Sequence, residues 1–123
     1  MILANVGHAA FFAGQSGMAR RRYVDALDIA VACGFPQMGI CALAGLAALA
    51  SSNNESHKAA LLLGCEEGLC EDTGNTRDPN EQRLHDQTLA ELRVSLAEAD
   101  LATAFEDGHA MSLEDAARLA NQT

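Results

Sequence analysis

Residue types able to do nucleophilic, acid–base or metal chemistry are few in this 123-residue chain. Its four cysteines are Cys33, Cys41, Cys65 and Cys70. The first two stand eight apart and the last two five apart, so neither pair has the C-x-x-C spacing of zinc or thiol-redox sites. They are expected to be buried, reduced thiols acting as small apolar side chains. His57 precedes Cys65 by eight residues on one expected helix, which sets them about 12 Å apart, too far to share an ion. His85-Asp86 and Cys65-Glu66-Glu67 hold acid–base residue types, but helix neighbours diverge by about 100° and make no dyad by adjacency. Both are expected on a solvated polar face. No catalytic residue, metal or other cofactor is expected, and the chain reads as a non-enzyme.

Charge narrows the partners. Seventeen Asp and Glu against eight Lys and Arg give a net charge of -9. Residues 1–40 carry Arg20, Arg21 and Arg22 against Asp25 and Asp28, a net of +1, so the remainder holds -10. Nucleic acid and anionic membranes bind through excess Lys and Arg, so neither is expected as a direct partner. The Arg20–Arg22 cluster lies between two inward positions, Ala19 and Tyr23, and should fan across the outside of its helix. The longest apolar run, Met38 to Ala50, has 13 residues and is too short to span a bilayer. The apolar opening MILANVGHAAFFAG lacks a basic segment before it, so a cytoplasmic location is expected.

The elements that would position these residues are helices. Apolar residues make up 49% of the chain, and Ala and Leu supply 24 and 16 of them against seven for Val and Ile together, which favours helix over strand. Turn-forming clusters at 14–17, 34–36, 51–54, 74–79 and 108–111 leave six segments too long for ordinary strands. Asp78-Pro79-Asn80-Glu81 is a helix start with a capping box, Ser112 to Asp115 opens the last helix, and Gly34 and Gly74 are left-handed stops. Ala19, Tyr23, Ala26 and Ala30 form one inward stripe. Met38–Ala50 is apolar all round and should be the most buried helix, with Ala44, Gly45 and Ala48 admitting neighbouring backbones. Leu89, Leu92 and Leu96 line one face of the helix begun at Asp78, with Glu81, Asp86, Glu91 and Glu98 toward water.

Helices in antiparallel succession with small residues at their crossings call for a test of internal repetition. Val6, Gly7, Gly14, Ala19, Tyr23 and Ala26 fall in an order that resembles the tetratricopeptide repeat. Ala44, Gly45 and Ala48 repeat the first-helix positions 38 residues later, and Ala59 and Leu63 the second-helix positions 40 residues later, the slip matching a longer turn at 51–55. The pattern departs at Leu3, at Ala10, and at Glu66, where a small residue is usual. Three further stretches, Ala59–Gly64, Leu101–Gly108 and Met111–Ala116, resemble the C-terminal tail of bacterial LuxR-type and related NTPase-containing transcriptional regulators. The resemblance implies an all-α domain of antiparallel hairpins stacked as a short right-handed superhelix. Its parts are repeat one at about 1–34, repeat two at about 36–74 and extra C-terminal helices at about 78–121. It implies a scaffolding or signal-receiving role and transfers no catalytic residue. The phosphate loop of those regulators does not occur in the sequence.

In such a superhelix the first helix of each unit lines the concave face. That face would present Asn5, His8 and Phe12 from one unit and Ala42, Leu46 and Leu49 from the next, a largely apolar groove. Leu101, Phe105 and Leu113 of the chain's own C-terminal helices would cover it, or it takes a partner helix or a second copy. A protein partner or self-association into a homo-oligomer, the latter through Met1–Ala13, is the leading expectation. The alternative is a small-molecule sensor with His8 or Asn5 as polar anchor.

Overall fold

A computed structural model of the chain describes residues 16–121. Among them it has six helices and no strand, in agreement with an all-α class. We number them α1 (Ser16–Cys33), α2 (Pro36–Ser52), α3 (Ser56–Thr73), α4 (Pro79–Ser95), α5 (Glu98–His109) and α6 (Leu113–Asn121). The helix expected over residues 1–13 lies outside the described residues. The sixth helix arises instead because the segment expected to run on from Asp78 is broken at Leu96-Ala97, where both residues are extended. No glycine or proline marks this break. Leu96 is half-buried and packs against the core as the chain turns into α5.

Local signals set the other boundaries. Gly34 and Gly74 end α1 and α3 at φ +72 and +71, a conformation that costs residues with a Cβ. At the start of α4 the Glu81 N–H donates to Asp78 Oδ1 at 2.9 Å and the Asp78 N–H donates to Glu81 Oε2 at 3.0 Å, the reciprocal box read from the sequence. The Asp115 N–H donates to Ser112 Oγ at 3.1 Å and caps α6.

The hairpin of α2 and α3 forms the centre, and α2 is buried from Gly39 through Ala50. Helix α1 packs on α2 through its fully buried stripe of Ala19, Tyr23, Ala26 and Ala30. Gly45 does not admit a backbone there, as its spacing suggested. It receives the Tyr23 ring: a Cβ on Gly45 would lie 2.1 Å from Tyr23 Cζ. Helix α4 crosses α2 and α3, while α6 lies against α1, α3 and α2.

Close backbone approach occurs instead between α3 and α5. A Cβ on Gly64 would lie 2.1 Å from the Phe105 carbonyl oxygen, one on Gly68 2.7 Å from that of His109, and one on Gly108 2.1 Å from that of Leu61. Three glycines therefore bring two helix backbones into direct contact along one seam, and no side chain can be inserted without moving a helix. We predict that Gly108→Ala destabilises the chain by about 3 kcal/mol, the upper range for overpacking, because the obstacle is backbone. Gly17→Ala, where nothing lies within 4 Å of the added carbon, should change stability by less than about 1 kcal/mol. Urea denaturation of the two variants measures both.

Candidate functional site

Two features stand out among the described residues: a buried ionic cluster beneath the α3–α4 loop and an open apolar cleft between α4 and α5. In the cluster, Glu66 of α3 has no exposed surface. Its Oε1 accepts from Arg77 Nε at 2.8 Å and lies 2.7 Å from Arg77 Nη2, and it is also 2.8 Å from His85 Nδ1. Arg77 Nη2 also pairs with Glu67 Oε2. A carboxylate oxygen can only accept, so His85 presents its protonated Nδ1 to Glu66 and turns Nε2 toward Glu67 Oε2, 4.0 Å away. Glu66 Oε2 is buried with no hydrogen-bond partner. Burial opposes the charge on Arg77, but the bonds and field of Glu66 and Glu67 outweigh it and hold the guanidinium above its ordinary pKa.

One turn before His85, Glu81 faces α2. Its Oε1 accepts from the buried Cys41 thiol while its Oε2 completes the capping box. Burial pushes the Glu81 carboxyl up, against the bonds from Cys41 and the Asp78 backbone. Burial and the Glu81 bond also push the Cys41 thiol up.

These placements correct several expectations. Glu66 and His85 were expected on a solvated face and are buried; Glu81 was expected toward water and is fully buried. Each side chain satisfies a neighbouring charge or a helix end, and a polar group can stay in the interior on those terms. The signal available for Glu66 was its departure from the small residue that the tetratricopeptide resemblance would place there. Cys41 and Cys65 are buried as expected, whereas Cys33 is exposed and Cys70 half-buried. Arg21 is exposed, but Arg20 is half-buried and donates to the Ala120 carbonyl at 3.1 Å.

Of the expected groove, Asn5, His8 and Phe12 lie outside the described residues. Ala42, Leu46 and Leu49 are buried in the core. Helix α6 lies over their face of α2: Leu113 Cδ1 is 3.2 Å from where a Cβ on Gly39 would sit, and Ala120 shares with Leu46 and Leu49 the wall of a cavity of about 120 Å³. Leu101 and Phe105 pack elsewhere, on the α5 side of the core.

The open surface is the α4–α5 cleft, of about 510 Å³. Leu89, Leu101, Ala102 and Phe105 supply its apolar wall, and Arg93, Glu98, Glu106 and His109 its charged part. His109 is tied to Glu71 of α3, whose bond raises the imidazole pKa. No protein-family model, curated protein or solved structure matches the chain. No described helix is long and apolar enough to cross a membrane.

Two outcomes test the cluster. Arg77→Ala leaves Glu66 buried with only His85, so a loss of about 3 kcal/mol is expected in urea denaturation, the cost of stranding one member of a buried pair. Among the thiols, only Cys33 should react quickly with a disulfide reagent at pH 8. Burial pushes Cys65 and Cys70 up to about 11 and Cys41 is closed off by Glu81, so peptide mapping should find these three labelled far more slowly.

Proposed function

We propose that this domain is a non-enzymatic, tetratricopeptide-like interaction module that receives a basic amphipathic helix in the α4–α5 cleft. The observation that carries the reading is the cleft itself: an open, mostly apolar trough edged by Arg93, Glu98, Glu106 and His109 on a chain of net charge -9. Exposed apolar surface rimmed by polar groups marks interaction sites, and a helix laid in a groove is a recurring mode of recognition. The rim mixes Glu98 and Glu106 with Arg93 and His109, so the preference for Lys and Arg flanking the partner's apolar stripe comes from the net charge of -9 on the chain as a whole.

The repeat reading is supported by the way α4 packs on α2 as well as α3, as the first helix of one repeat packs on that of the preceding repeat. A scaffolding or signal-receiving role like that of the C-terminal regions of bacterial transcriptional regulators fits such a module. The cleft volume also falls in the range of small-molecule sites, which keeps an apolar ligand as the second reading.

Ala102 is exposed on the cleft wall, so Ala102→Arg should block a basic helix while sparing the fold. With a labelled Leu/Lys amphipathic 18-residue peptide as probe, fluorescence anisotropy should show saturable binding. The affinity should weaken about tenfold or more in Ala102→Arg and fall with added salt. Binding that ignores both the substitution and salt overturns the reading. A monomer–dimer equilibrium abolished by the same substitution replaces the partner helix with a second copy, and tight uptake of a small apolar dye without peptide binding favours the second reading.

A further inference from the structure

We propose that Glu66, Glu67 and His85 form a binding site for one divalent cation of the zinc class, and that Arg77 is the competing cation that holds their carboxylates in the metal-free chain. Three features of the cluster point to it independently of the cleft. The first is the buried Glu66 Oε2, an acceptor without a partner inside a side chain that has no exposed surface. Carboxylate lone pairs in the interior demand a donor or a cation.

The second is the spacing of the donor atoms. His85 Nδ1 lies 2.8 Å from Glu66 Oε1, and Arg77 Nη2 bridges Glu66 Oε1 and Glu67 Oε2, so an ion that takes the place of the shared proton and of that nitrogen has all three side chains around it. One donor atom from each of Glu66, Glu67 and His85 lies within 4.8 Å of the others.

The third is charge and access. Glu66 and Glu67 bring two negative charges to a site where Arg77 returns one positive charge. Glu67 is one-third exposed, so the ion has a route from solvent and room for water to complete its shell. An imidazole with two carboxylates suits zinc and related first-row ions better than magnesium or calcium, which prefer all-oxygen shells. A second trio, Cys41, Asp78 and Glu81, is equally close-set, but its thiol is protonated and both Glu81 oxygens are engaged, so it is not the metal site.

Because Arg77 contacts both carboxylates, the cation must displace it or share them with it. The two therefore oppose one another, and that gives the test a sign. Titration calorimetry of the chain with Zn²⁺, under reducing conditions, should give one site per chain. Glu67→Gln, at the rim, should fold normally and bind at least about tenfold more weakly, as should His85→Gln. Cys33→Ser should bind as the parent does, which separates the site from the exposed thiol. Arg77→Gln should bind Zn²⁺ more tightly and gain more in melting temperature from it than the parent. If that variant is unfolded without metal, Zn²⁺ should restore its helical circular dichroism. Co²⁺ in the same site should show d–d bands without a thiolate charge-transfer band. Failure of the chain to take up Zn²⁺, or uptake that survives both Glu67→Gln and His85→Gln, overturns the site. Arg77→Gln binding no tighter than the parent overturns the opposition with Arg77.

Discussion

A carboxylate with no exposed surface must bring its own counter-charge with it, and Glu66 organises one side of this molecule by that requirement. Arg77 sits in the loop after α3 and can reach Glu66 only if that loop folds back at Gly74. The same return brings Asp78 to the head of α4, where its capping box with Glu81 sets the helix going and points His85, one turn on, at Glu66. Glu81 in turn accepts from Cys41 on α2. A chain of polar contacts thus runs from α2 through α4 to α3 and fixes the register of α4 on both. Apolar packing of Leu84 and Leu92 alone would tolerate sliding, whereas hydrogen bonds to a buried charge do not.

The opposite side of α3 obeys a constraint of a different kind. Gly64, Gly68 and Gly108 let α5 approach until carbonyl oxygens stand where side chains would be. Little apolar side-chain area is buried in such a seam; its strength is close atomic contact over matched surfaces. Together the two sides of α3 determine the cleft. The polar cluster positions α4, the glycines position α5, and the trough between Leu89 and Phe105 is what remains open after both are placed.

Much of this architecture was legible in the residues. Helix boundaries at Gly34, Gly74, Asp78 and Ser112 follow from local chemistry that acts within a few residues, and so does the burial of α2. What the sequence concealed depends on distant partners. Glu81 carries a capping role and a buried role at once, and only the first is visible locally. His85 beside Asp86 looks like an ordinary polar surface until α3 supplies Glu66, nineteen positions earlier. The break at Leu96-Ala97 carries no glycine or proline to announce it, and Ser95 is a weak turn signal beside them. Gly45 shows the limit of reading small residues by rule: whether a glycine admits a backbone or an aromatic ring depends on what the neighbouring helix places there.

The bond from Arg20 to the Ala120 carbonyl joins positions one hundred residues apart, and α6 closes over the Gly39-to-Leu49 face of α2. Synthesis proceeds from the amino end, so α1 and α2 leave the ribosome long before the helix that completes their packing exists. In that interval α2, with twelve consecutive interior residues, is the part of the nascent polypeptide most in need of a temporary cover, and a chaperone is most needed while it waits.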